Sequence, residues 1–296
     1  MNECTEMFPR EITESRVSRR AAFGASIALA GTAYLSRSSA SAQEGTPVTI
    51  SASTGTPSAT GTPTVLLVHG AFADASGWAG VITELQADGI SVMAPANPLR
   101  GVSSDAAYIA SVANQIAGPV LLVGHSYGGV VITNAALQVP SAVGLVYVAA
   151  FAPDEGESVQ ALAGQATDSQ LGPNLRPAEY PTGGAEPGHE LYIDQAAFHD
   201  VFCADLPEDV AAAMAVSQRP GADIGFGEPS GPAAWKTLSS WALIATADKT
   251  IGVTGLRAMA GRAGATSVEI DASHCVMISQ PKATADLIRT AIGSLG

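Results

Sequence analysis

The sequence predicts an α/β protein: a doubly wound, mainly parallel sheet of about six strands, with a small cap inserted after the strand ending near Ala150. Three observations predict it. From residue 64 onward, short apolar runs alternate with segments of helical period. The runs are apolar on both faces, as strands buried between two layers of helices are. One interval between runs is much longer than the others, as an insertion would make it.

The expected strands are TVLLVH (64–69), ISVMAP (90–95), PVLLVG (119–124), VGLVYVAA (143–150), WALIAT (241–246) and TSVEI (266–270). Between them lie SGWAGVITELQADG, SSDAAYIASVANQIAG, GGVVITNAALQVP and GVTGLRAMAGRAG, and PKATADLIRTAIGSL closes the chain. Each carries apolar residues at helical spacing, and the first four stop at Gly or Pro, where helices commonly end. Strand and helix in alternation imply parallel strands joined by helical crossovers. The long interval holds the cap, about 151–220. It includes the Pro- and Gly-rich LGPNLRPAEYPTGGAEPGHE and one clear helical segment, LPEDVAAAMAVSQ.

Two segments precede this domain (64–296). Residues 1–42 read as an export signal. Arg19 and Arg20 are followed by an apolar stretch over 21–35, and Ala40-Ser41-Ala42 offers a small-residue cleavage site. The paired arginines resemble a twin-arginine signal and imply an exported, periplasmic or secreted protein. An amphipathic N-terminal helix and a retained anchor are the alternatives; Arg37, near the cut, fits cleavage less well. Residues 43–63 form a Thr/Ser/Gly/Pro-rich linker with a short strand expected over 48–53.

Charge and cysteine content exclude several functions. Without residues 1–42 the chain keeps 23 acidic and 9 basic side chains, a net charge of −14. Such a surface repels nucleic acid and anionic lipid, so neither nucleic acid nor a stable membrane association is expected. A homodimer is allowed. Cys4 lies in the signal. Cys203 and Cys275 cannot make a multi-cysteine zinc site, and are either two buried thiols or one disulfide. No metal or cofactor is expected.

The chemistry begins at Gly124-His125-Ser126-Tyr127-Gly128, a G-x-S-x-G motif. With 31 glycines in 296 residues the motif alone is weak. Its context strengthens it, because a buried strand ends at Gly124 and a helix starts directly after Ser126. A serine on such a turn is exposed at the carboxyl edge of the sheet in a strained conformation, and it needs small neighbours two residues to either side. The helix N-terminus beneath it favours developing negative charge.

A serine hydroxyl needs a base, and the base needs an orienting carboxylate. Of five histidines, His69 ends an earlier strand, His125 is the variable position of the turn, and His189 and His199 fall in the cap. His274 follows the last strand, on the same sheet edge as Ser126; its alternative is a plain loop histidine. Asp248, after WALIAT, is the first candidate carboxylate. Asp154 is the second, and Asp271 is very near His274 in sequence. An oxyanion hole requires two backbone N–H groups. Tyr127 supplies one and Ala71, in the loop after the first strand, the other.

VLLVHGAFADASGW, LLVGHSYGG, ATADKTI and ASHCVM, in that order, resemble the α/β-hydrolase superfamily over the whole of 64–296. YVAAFAPDEGES, where the cap begins, is similar to the branch that contains small-molecule esterases, plant methylesterases and hydroxynitrile lyases. The resemblance implies catalytic Ser126, Asp248 and His274. The lyases of that branch typically carry threonine at the position of Gly70 and lysine at that of Cys275, so ester hydrolysis is the expectation, with a small-molecule ester or lactone as the partner. Cys275 lines the pocket, pairs with Cys203 to pin the cap, or is simply packed. Tyr180, Tyr192, Phe198 and Phe202 are either pocket lining or cap core. Carbon–carbon cleavage by the same triad and non-catalytic ligand binding are the competing functions.

Overall fold

The structure, a computed structural model, describes residues 61–295. The expected export signal, most of the linker and the strand at 48–53 lie outside the described residues. In chain order, β1 (Thr64–Val68) leads through a 3-10 turn to α1 (Ala79–Ala87), and β2 (Val92–Met93) to α2 (Val102–Ala113). Next, β3 (Val120–Ser126) passes directly into α3 (Tyr127–Ala135), and β4 (Ala142–Ala150) opens the insertion. The insertion holds α4 (Val159–Gln165), β5 (Leu175–Tyr180), β6 (Gly188–Ile193), α5 (Gln195–Phe202), α6 (Glu208–Val216), β7 (Gly221–Ala222) and α7 (Asp223–Gly227). The chain then returns through β8 (Ser240–Ala245), α8 (Val253–Arg262), β9 (Thr266–Ile270), α9 (Val276–Ser279) and α10 (Pro281–Ser294).

The main sheet has six strands in the order β2-β1-β3-β4-β8-β9, every pair parallel. This is the sheet the apolar runs predicted. Alternate side chains divide between two cores, as the period of two requires. Leu66, Val68, Leu122, Leu145 and Tyr147 pack with α2, α3 and the insertion. Val65, Leu67, Leu121, Val123, Val146 and Val148 pack with α1 and α10 on the other face.

Burial on both faces fails at the two edges. β2 is only two residues long and partly exposed, and most of β9 is exposed. Each has a single neighbouring strand, so the layers that cover the central strands end there.

The insertion is more structured than its composition suggested. The Pro- and Gly-rich stretch folds into a β5–β6 hairpin, which β7 extends to a three-stranded antiparallel sheet. Pro177 is tolerated because β5 is an edge strand with one partner. The helix expected over 206–218 is α6, but α4 and α5 accompany it. The sheet of the insertion also runs past residue 220, the expected end of the cap, because Leu191 pairs with Gly221 and Glu190 with Ala222.

Candidate active site

Ser126 ends β3 and caps α3, at φ 54° and ψ −125°. A non-glycine residue at positive φ is uncommon, and such strain persists only where the surroundings hold it. Here they do. A Cβ on Gly124 would lie 2.5 Å from the Gly128 carbonyl oxygen, and one on Gly128 would lie 2.3 Å from that of Val68. Only glycines let the strand, turn and helix approach this closely. The Phe151 N–H donates to the Ser126 carbonyl at 3.2 Å, tying the turn to the end of β4.

Asp248 and His274 come together on the neighbouring loops, after β8 and β9. His274 Nδ1 lies 2.6 Å from Asp248 Oδ2, and both side chains are fully buried. The other carboxylate oxygen, Oδ1, accepts the Thr250 and Ile251 N–H groups at 2.7 and 2.8 Å. Asp248 is thereby fixed as an acceptor, which places the Nδ1 proton on the histidine and leaves Nε2 as the basic nitrogen. Nε2 is buried and has no hydrogen-bond partner among the described residues.

The other carboxylates are elsewhere. Asp154 pairs with Lys236, and Asp271 is exposed. His69 is buried, but its Nε2 accepts the Asn97 N–H at 2.9 Å, so its Nδ1–H donates to the Gly70 carbonyl at 2.8 Å. His189 lies 4.0 Å from Glu179 on the hairpin, and His199 bonds the Leu206 carbonyl.

His125 was passed over by the sequence as a variable position. It is wholly buried, its Nε2 lies 3.0 Å from the His274 carbonyl oxygen, and the two rings are 4.6 Å apart. Residue 125 thus joins the loop of Ser126 to the loop of His274. Burial, and next the nearby His274, hold the His125 imidazole well below its usual range.

Of the two N–H groups expected to face an oxyanion, that of Tyr127 opens α3 and is one of those a helix leaves without an internal acceptor. Its phenol donates to buried Asp105 at 3.0 Å. Asp105 in turn accepts from the Arg100 and Gly101 N–H groups, and burial raises its carboxyl above the usual range. The Ala71 N–H has no acceptor among the described residues. Its loop touches the elbow closely: a Cβ on Gly70 would lie 2.6 Å from Ser126 Cβ and 3.2 Å from Oγ.

Cys203 and Cys275 are buried free thiols. Burial, and then a contact with Cys203, push the Cys275 thiol up. Of the insertion's aromatics, Phe202 reaches the site, its ring 5.2 Å from that of His274, while Phe198 packs behind it at 5.0 Å. Tyr180 stacks under Arg100, and Tyr192 donates to Glu190, which also pairs with Arg100. Two further aromatics border the site: Phe72, inside the VLLVHGAFADASGW stretch, and Phe226, which no motif marks.

A doubly wound parallel sheet, a serine on a strained strand-to-helix turn and an Asp–His pair after the last two strands define the α/β-hydrolase class. The chain belongs to the Alpha/beta hydrolase family, which it matches over residues 65–287. It is 47% identical over 53 residues to a carbendazim hydrolyzing esterase of Nocardioides sp. (strain SG-4G). That match spans 18% of this chain and 22% of the relative. Among solved structures, a pyrethroid hydrolase from Sphingobium faniae JZ-2 superposes with a TM-score of 0.66 at 20% identity, covering 78% of this chain and 98% of the other. Polyneuridine aldehyde esterase gives 0.66 at 19% identity, covering 78% of this chain and 100% of the other. At these identities the two structures share the fold.

Proposed function

We propose that the chain is a serine hydrolase that cleaves a small carboxylic ester or lactone through an acyl-enzyme on Ser126. The observation that carries this is the 2.6 Å contact between His274 and Asp248, with Nε2 of the same histidine buried and unpartnered. A base held in this way is poised to take a serine proton. Ser126 Oγ adds to the carbonyl carbon while its proton passes to His274 Nε2. The N–H groups of Ala71 and Tyr127 receive the oxyanion. The tetrahedral intermediate collapses, the alcohol leaves with the proton from Nε2, and water repeats the sequence on the acyl-enzyme. No cofactor takes part.

The esterase named among the relatives and the hydrolase and esterase among the structural neighbours support this chemistry. Gly70 supports hydrolysis over carbon–carbon cleavage: a threonine there, typical of the lyases, would drive its Cβ into Ser126. Cys275, in the position of the lyase lysine, sits in the apolar core. The insertion also holds a cavity of about 630 Å³ with Val159, Leu171, Leu191, Asp223 and Phe226 in its wall; none of the triad lines it, and Phe226, its ring 5.6 Å from that of Tyr127, is its link to the elbow. The N-terminal segment is proposed to export the protein.

The test is turnover of a panel of short- and medium-chain chromogenic esters and lactones by the wild type and by Ser126→Ala, alongside labelling with an organophosphonate. Turnover lost in Ser126→Ala, with the label on Ser126, supports the acyl-enzyme. Ligand binding with neither turnover nor labelling overturns it in favour of a binding protein.

A further inference from the structure

Phe72, one residue beyond Ala71, is a non-glycine residue in the left-handed region, at φ 66°. Large side chains rarely occupy it, and it persists only where the surroundings impose it. Its neighbours come from the insertion. The Phe72 N–H donates to the Arg219 carbonyl at 2.8 Å. Its buried ring meets Phe202 edge-on at 6.1 Å and stacks on Phe226, also at 6.1 Å, with 18° between the planes. Gly221 leaves room for the Phe226 ring, which a Cβ there would approach to 2.7 Å, while Ala71 Cβ would lie at ordinary contact distance, 3.4 Å.

Resting on the proposed function, we infer that Phe72 is a positioning residue: the insertion grips its ring and N–H and thereby holds the Ala71 N–H at the oxyanion. The geometry separates it from a simple packing residue. With the Phe72 N–H committed to Arg219, the free N–H of the bend is that of Ala71. The backbone between the two is turned by the left-handed φ of Phe72, and no glycine at that position makes the turn easy. Loosening the ring lets φ relax toward negative values and carries the preceding peptide with it. The insertion therefore completes the catalytic apparatus as well as covering it.

The test compares wild type, Phe72→Ala, Phe72→Tyr and Phe226→Ala, with kcat and KM on one short-chain chromogenic ester, inhibition by an alkyl boronic acid and the melting temperature. A boronic acid forms a tetrahedral adduct on an activated serine, so its affinity reports the oxyanion site. Phe72→Ala is expected to lower kcat roughly 30- to 100-fold, approaching the loss from removing one donor, with KM changed less than about threefold. Boronate affinity should fall in parallel. Phe72→Tyr, which keeps the ring, should recover most of the loss, and Phe226→Ala should lower kcat by roughly five- to tenfold, so the inference stays testable should Phe72→Ala fail to fold. A lower melting temperature in Phe72→Ala or Phe226→Ala with kcat and boronate affinity unchanged overturns the inference. Failure of the underlying proposal looks different: the wild type itself would neither turn over the ester nor bind the boronate.

Discussion

Two bends meet at the candidate site, and they are strained alike but braced differently. Ser126 sits at φ 54° and Phe72 at φ 66°, each beside an N–H proposed to face the oxyanion. The turn at Ser126 is braced by the core of the sheet, through Gly124, Gly128 and the ends of β1 and β4. The bend at Phe72 is braced by residues 130 to 154 positions later, on the insertion. A family can therefore keep the first unchanged while altering the second by changing the insertion. The difference is also experimentally separable: damage to the first brace should unfold the protein, and damage to the second should slow it.

The largest effects should come from the reacting groups. Ser126→Ala is expected to reduce kcat by roughly 10⁴-fold or more with an unchanged circular dichroism spectrum. Asp248→Asn keeps the shape but offers His274 Nδ1 an amide in place of a carboxylate, and should cost on the order of 10³- to 10⁴-fold in kcat. A stopped assay with purified variants checks both. An Asp248→Asn enzyme within tenfold of wild type would remove Asp248 from the proposed triad.

Next comes the core brace. Gly128→Ala puts a methyl group 2.3 Å from the Val68 carbonyl oxygen, a contact only backbone movement can relieve. Overpacking of this kind is expected to cost about 3 kcal/mol or more, read as a shift in a urea unfolding midpoint. If Gly128→Ala folds at wild-type stability yet loses activity, the contrast between the two braces collapses.

The contrast also marks how much could be read from the chain. Strands β1, β3, β4 and β8 were legible because both their faces are buried, and the elbow was legible because Gly124 and Gly128 flank Ser126 in one short motif. Asp248 and His274 were legible as residues that end strands on one edge of one sheet. The hairpin of the insertion was not, because Pro177 reads as loop although an edge strand tolerates it, and the glycines around residue 183 mark only the connection between β5 and β6. Phe72 stood in a stretch read only for its backbone N–H groups and Phe226 in none: a lone phenylalanine looks the same in a clamp as in a core. His125 was hidden by standing at the variable position of a motif, and only the fold reveals the 3.0 Å contact with the His274 carbonyl.

The smallest effect should come from that same histidine, and it tests the core side of the contrast through pH. Burial holds His125 well below its usual range and also lowers His69, so folding favours the neutral form of both. In the unfolded chain each binds a proton around 6.5. Below that pH the unfolded state takes up more protons, so the stability these residues contribute is present above pH 6.5 and is lost as pH falls toward their folded values. Each should cost up to about 1.4 kcal/mol per pH unit over that window. The melting temperature is therefore expected to be flat from pH 8 to 7 and to decline between 6.5 and 5. His125→Gln, which can still donate to the His274 carbonyl but cannot take up a proton, should remove part of the decline. An unaltered decline in His125→Gln would shift the pH dependence onto His69 and the carboxylates, and would leave His125 as a tie between two loops rather than a buried titrating group.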